Sequence, residues 1–275
     1  MKIPNLASLA LVLGSSLLTA AACGGGAGGG GGDNTDSAES AVDSSDSTQA
    51  EGDMMMASMD GAQPAGSLAA PTGAVIAANI AANVAARWPG GCAVATANGA
   101  NVAITYTNCT GPRGLIDVTG EVDLAITVSL AGGISVHATA TDLEVNKATL
   151  TFDSTGTYTV TGTTNKLVVS SHGSGTGPRG NAIDHDGSYT IAWDSATLCH
   201  SIDGAWSTEI SNSSGAASRS NTVNLERCPS MCPTGTLTHK FLGGAALTVT
   251  FDGTSVASWS VTTGASGTVQ LTCGS

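Results

Sequence analysis

The 275-residue chain carries 21 Asp plus Glu against nine Lys plus Arg, a formal charge of −12, and nowhere clusters its few cations. Holding a phosphate backbone takes clustered positive charge, so a nucleic-acid partner is excluded. A mean hydropathy of +0.16, with no apolar run near 20 residues past the extreme N-terminus, excludes a polytopic bundle of membrane helices.

Residues 1–22 read as a secretory signal. Lys2 supplies the charged start, Leu6 to Leu18 the short apolar core, and Thr19-Ala20-Ala21-Ala22 the small-residue end. Small residues directly before Cys23 resemble the lipobox of bacterial lipoproteins, although that family usually has Leu where Ala20 stands. The resemblance implies acylation of Cys23, which would become the new N-terminus. It implies outer-membrane sorting as well, because Gly24 replaces the acidic residue that retains such proteins at the inner membrane. Several acyl chains on one residue make a stable anchor, at about 0.8 kcal/mol per buried methylene.

Residues 23–72 read as the lipidated cysteine followed by a disordered tether. The segment is rich in Gly, Ser and Ala, and contains Asp33, Asp36, Glu39, Asp43, Asp46, Glu51, Asp53 and Asp60 with no basic residue. One-signed charge with low hydrophobicity predicts a self-repelling, unfolded chain. Met54, Met55, Met56 and Met59 lie between Asp53 and Asp60. Soft thioethers select Cu(I), but the run reads as ordinary linker rather than as a metal site.

From residue 73 to 88 the pattern becomes helical, with Ile76, Ile80, Val84 and Trp88 forming one apolar stripe that Pro89-Gly90-Gly91 ends. The remainder, 89–275, has a period of two. Val122, Leu124, Ile126, Val128 and Leu130 alternate with polar neighbours, and similar runs surround Ile134, Leu167, Ile191, Val249 and Val269. Turn residues separate the runs, at Asn98-Gly99, Gly162 to Asn165, Asn212 to Gly215, Gly243-Gly244, Asp252-Gly253 and Gly264 to Gly267. The expected fold is all-β, an antiparallel meander of about a dozen strands curled into a barrel, half-barrel or sandwich. Thr110-Gly111-Pro112-Arg113-Gly114 recurs as Thr176-Gly177-Pro178-Arg179-Gly180. It reads as reused turn chemistry in preference to a functional loop presenting Arg113 and Arg179.

Six cysteines follow Cys23, an even number suited to disulfides in an exported protein. Cys199 and Cys228 are centred on the turn at Ser213-Ser214, and Cys92 and Cys109 nearly on the turn after Asn98-Gly99, so each is expected to bridge its hairpin. Cys232 to Cys273 is the remaining pair. Its rival is a local Cys228 to Cys232 bridge with Cys199 reaching Cys273. A zinc site at Cys228 and Cys232 lacks a second ligand pair.

Catalytic signatures are absent from the sequence, and neither a metal nor another cofactor is expected. The five histidines, at 137, 172, 185, 200 and 239, fall on separate strands and loops. Asp184-His185-Asp186-Gly187 fails as a calcium loop, since Ala182 holds the first ligand position, and reads as a solvated turn. Trp193, Trp206 and Trp259 read as packing residues in preference to a carbohydrate platform.

From Cys92 onward, Asn108-Cys109-Thr110-Gly111-Pro112, the second Gly-Pro-Arg-Gly, Gly204-Ala205-Trp206-Ser207-Thr208, and Arg227-Cys228 with Cys232-Pro233 resemble bacterial lipoproteins built from a Gly-rich tether and a Thr/Gly-rich β domain. That resemblance implies an envelope location and β class, and no site residues. The expected function is a non-enzymatic, membrane-anchored structural or ligand-binding module whose ligand could be a glycan, lipid or protein. Its alternatives are a carrier of a hydrophobic ligand within the curled sheet and, more weakly, a polysaccharide-active enzyme.

Overall fold

A computed structural model describes residues 31–59, 62, 71–111, 115, 117–129, 133–194, 196–212, 215–229, 231–240, 244–271 and 273. The chain divides into Met1–Gly30 and Gly31–Ser275, and the architecture below is that of the second unit. The signal segment, Cys23, Arg113 and Leu130 lie outside the described residues.

Helix α1 spans Gly31–Met59 and α2 spans Gly73–Arg87. Thr72 caps α2, its hydroxyl accepting from the Val75 amide at 3.3 Å, and Ile76, Ala77, Ile80 and Val84 form the buried stripe that the four-residue spacing predicts. Thirteen strands follow: β1 (Ala93–Asn98), β2 (Asn101–Cys109), β3 (Val118–Val128), β4 (Ile134–Val145), β5 (Ala148–Thr161), β6 (Thr164–Thr176), β7 (Ala182–Asp194), β8 (His200–Asn212), β9 (Gly215–Arg227), β10 (Thr234–Lys240), β11 (Ala246–Asp252), β12 (Val256–Val261) and β13 (Ser266–Gln270). They form one antiparallel sheet in chain order. The sheet is not closed, since β1 pairs with β2 and β13 with β12, but not with each other.

The alternation of the sequence becomes two faces. On β5, Ala148, Leu150, Phe152, Ser154, Gly156 and Tyr158 point inward, while Asp153, Thr155, Thr157 and Thr159 point to solvent. A strand facing lipid needs an apolar outer face, so this sheet turns its hydroxyl-rich side to water. The buried face gathers Tyr189, Ile191, Trp193, Ile202, Trp206, Leu237, Val249 and Trp259 into one continuous core with Trp88 of the α2 end. The three tryptophans of the sheet are thus packing residues, as their alternation predicts.

All six later cysteines are paired: Cys92 with Cys109, Cys199 with Cys228, and Cys232 with Cys273. The β8–β9 register pairs His200 with Arg227, which places Cys199 directly opposite Cys228. Cys92 and Cys109 are offset by two from the β1–β2 register, and the irregularity between Tyr106 and Cys109, with Asn108 at φ 47°, absorbs that offset. The third pairing removes the local Cys228–Cys232 alternative and with it the zinc reading. Loops of 17, 29 and 41 residues give about 3 to 4 kcal/mol of chain-entropy stabilisation each.

The expectation of a disordered tether is overturned for Gly31–Met59. From Ala38 to Met59 every residue except the exposed Glu39 and the partly buried Asp46 is buried, so successive positions around the whole helix are enclosed. Composition alone predicts disorder because it averages eight carboxylates against an assumed aqueous surrounding. What it misses is that the sheet and its turns supply partners for Asp43, Ser44, Asp46, Glu51 and Asp53, while Ser47, Thr48 and Gln49 bond back to their own helix. Met54, Met55, Met56 and Met59 are core residues at the C-terminal end of α1, which accounts for them without metal.

Candidate functional site

The buried face of the sheet departs from apolar alternation at particular positions, among them Ser154 on β5, Ser171 on β6, His185 on β7, and His200 and Thr208 on β8. Each of these five meets α1. The helix lies along the sheet, its residues 43–46 at the β6–β7 turn and Asp53 near the opposite ends of β7 to β9, about 15 Å away at 1.5 Å per residue. Gly52 permits a close approach. A Cβ there would stand 3.2 Å from Ile191 Cδ1 and 3.3 Å from Ile202 Cδ1, tighter than ordinary packing.

The first contact region is the second Gly-Pro-Arg-Gly turn. Asp43, with a fully buried side chain, accepts the Arg179 amide at 3.0 Å, the Asn181 amide at 3.3 Å and Asn181 Nδ2 at 3.0 Å. Arg179 Nη1 bonds Asp46 Oδ2 at 2.9 Å, and its Nη2 donates to the Gln270 carbonyl of β13 at 2.8 Å. One guanidinium therefore joins α1, the β6–β7 turn and the last strand, which its planar fork of donors allows. Burial raises the Asp46 carboxyl above its ordinary range, with Arg179 opposing the rise. The turn does have the tight-turn chemistry expected of it, and its arginine has a second role that the repeat did not disclose.

Gly177 in that turn leaves no room for a side chain, because a Cβ would collide with the Asp43 carboxylate. Gly177→Ala is expected to cost about 1 to 3 kcal/mol through overpacking and to open residues 36–46 to protease. A digest unchanged from the parent protein would show that the turn does not hold the helix.

At the centre, Ser44 Oγ lies 2.9 Å from Thr208 Oγ1 and accepts the Trp206 indole N–H at 3.1 Å. Glu51 is more deeply engaged. Ser154 donates to its Oε1 at 2.6 Å, with Ser171 Oγ 2.9 Å beyond, and His185 Nε2 stands 3.4 Å from Oε2. Burial pushes the Glu51 carboxyl up, but the hydrogen bond and charge of His185, with the Ser154 and Ser171 hydroxyls, outweigh burial and hold it below the usual carboxylate range. Tyr189 beside it is raised far above an ordinary phenol, by burial first and by the Glu51 charge second. A water-sized void of about 10 Å³ adjoins Ser47, Glu51 and His185.

At the far end Asp53, also without solvent exposure, faces His200 Nε2 at 3.2 Å and Arg227 Nη1 at 3.4 Å. The adjoining Cys199–Cys228 bridge fixes the strand pair that presents His200 and Arg227. Asp184-His185-Asp186-Gly187 is therefore strand and not a solvated turn: His185 points in to Glu51 while Asp184 and Asp186 point out. His137 and His172 lie on the outer face, His137 bonding Asp153 at 2.7 Å and His172 standing 3.7 Å from Asp186. Among the described residues, no group of three His, Cys, Asp or Glu is arranged to hold a metal, and no helix is long and apolar enough to cross a membrane.

The chemistry of this arrangement is recognition of an acidic helix. Three carboxylates of α1, at 43, 51 and 53, are fully or almost fully buried, and each meets donors fixed on the sheet. Sequence reading assigned no role to His185, His200, Arg179 and Arg227 in this connection. The detectable signal was a histidine or serine standing at an inward register position of an otherwise apolar strand. No protein-family model matches the chain, and neither the curated proteins nor the solved structures include a significant match.

Proposed function

We propose that the protein is an envelope lipoprotein, acylated at Cys23 and held at the outer membrane, whose disulfide-stapled β domain serves as a non-enzymatic structural or ligand-binding module. The observation that carries this reading is the cysteine pairing. Six cysteines are consumed by three bridges, which leaves Cys23, at the end of the signal-like segment, as the one with a separate task. Three disulfides suit an oxidising compartment, and the Thr-rich outer face of the strands suits a domain standing in water beside a membrane.

We read the bent, open sheet as a half-barrel, because Arg179 of the β6–β7 turn reaches Gln270 of the last strand across α1. A carrier of lipid would need a cavity of several hundred Å³, whereas α1 fills the interior. A glycosidase would need carboxylates open to substrate, whereas Glu51 and Asp53 are enclosed and engaged. Docking of α1 also shortens the expected leash, because residues 31–59 belong to the folded unit and not to a free chain.

Cys23→Ala is expected to abolish acylation and release the protein from the membrane fraction, read by mass spectrometry of the N-terminal peptide and by fractionation. Unchanged membrane retention would defeat the anchor.

A further inference from the structure

The most unusual feature of the molecule is that its interior is occupied by a polar, acidic segment. A helix that belongs permanently to a core is ordinarily apolar all round, and a helix that is polar all round is ordinarily solvated. Here a helix containing Asp43, Ser44, Ser47, Thr48, Glu51, Asp53 and Ser58 is enclosed. Besides the apolar packing of Met54, Met55, Met56 and Met59, it is held by polar contacts matched to the sheet at Asp43, Ser44, Glu51 and Asp53, and a permanent core layer does not need these.

Three further observations agree. Neither the strand ladder nor the disulfides include α1: the thirteen strands pair continuously in chain order, and the bridged cysteines all lie between residues 92 and 273. The ladder is open between β1 and β13, so the space around α1 is not ringed by backbone hydrogen bonds. Finally, the fixed groups are complementary to one ligand chemistry: Arg179 and Asn181 at one end, Ser154, Ser171 and His185 at the centre, and His200 with Arg227 at the other end. The apolar floor between them, Ile191, Ile202 and Trp206, takes the side of the helix marked by Gly52 and Ser44.

We infer that the inner face of the sheet is a peptide-binding site for acidic α-helical segments, and that α1 is its resident, exchangeable ligand. The site recognises carboxylates spaced eight and ten residues apart along a helix, as Asp43, Glu51 and Asp53 are. A helix of the same chemistry enters when α1 leaves, and α1, once released, is soluble by virtue of its charge. This deepens the ligand-binding part of the reading above and does not depend on acylation, so the two can fail separately.

The test uses the full chain with a specific protease sequence inserted after Gly66, between the two helices. After cutting, the segment carrying α1 is expected to remain with the sheet through gel filtration. A fluorescein-labelled synthetic peptide of residues 31–59 should then replace it, giving a saturable rise in anisotropy. The same peptide with Glu51→Gln and Asp53→Asn should bind at least tenfold more weakly. Aggregation on cutting, or failure of excess peptide to enter, would overturn the proposal and make α1 a fixed part of the core; loss of the cut segment from a sheet that then fails to bind the peptide would overturn it by showing that the face does not hold such a helix. Equal binding of the two peptides would overturn it too, because recognition would then be apolar and not specific to carboxylates. Retention of the protein on membranes, with or without Cys23, leaves these outcomes unaffected.

Discussion

Replacing Arg227 by Met is expected to destabilise the protein by about 3 kcal/mol, because breaking a buried ion pair strands the other charge. For a domain of this size that corresponds to a fall of roughly 6 to 12 °C in the thermal midpoint. The stranded group is Asp53, which has no solvent exposure and faces His200 on its other side. Met keeps an unbranched apolar stem and part of its packing, so the loss reports charge more than stem burial. The paired variant, Asp53→Asn with Arg227→Met, should recover most of the deficit, since replacing both members of a buried pair is often nearly neutral. Thermal denaturation followed by tryptophan fluorescence checks both proteins. Trp206 donates to Ser44 of α1, so its emission reports seating of the helix directly. If the double variant is as unstable as the sum of its single changes, Asp53 and Arg227 do not act as a pair.

The sheet was legible because its alternation is local. Ile134, Val136 and Ala138 announce an inward face with no knowledge of what they meet, and turn residues mark where each strand reverses. Cysteine pairing was legible for the same reason, with Cys199 and Cys228 symmetric about one hairpin. The site was not legible, because it joins residues more than a hundred positions apart. Nothing near Glu51 in sequence indicates Ser154, and nothing near Asp53 indicates Arg227. Charge taken segment by segment made residues 31–59 a solvated leash, although the same chain places cationic and hydroxyl groups at inward positions of β5 to β9. Polar residues at such positions are costly without partners, and that cost is the clue that an acidic segment must be enclosed. The repeated Gly-Pro-Arg-Gly shows the same division: its turn geometry follows from local residue chemistry, whereas the grip of Arg179 on Asp46 and Gln270 follows only from tertiary placement.

Acid should loosen α1 through Glu51 in particular. Its carboxyl is held below the ordinary 4.5 by His185, Ser154 and Ser171 against the opposing effect of burial. A carboxyl whose folded value is depressed contributes stability that is fully present above its unfolded value and lost as pH falls through the folded one. The loss therefore begins near pH 4.5 and continues below it. Asp46 works in the opposite sense, since burial raises it and its protonation relieves a cost as pH falls. Subtracting the profile of a Glu51→Gln variant isolates the first effect, because Asp46 and Arg179 remain in both proteins. At neutral pH the variant should be less stable by about 1.5 to 3 kcal/mol, the scale of a hydrogen bond to a charged group. Gln keeps an acceptor for Ser154 but gives up the charge facing His185. Below pH 4.5 the gap between the two proteins should narrow, as the parent carboxyl becomes neutral as well. Chemical denaturation at a series of pH values measures that gap. A gap constant from pH 7 to pH 3 would show that the Glu51 charge contributes nothing to seating the helix, and that packing of α1 against Ile191 and Ile202 accounts for its place in the sheet.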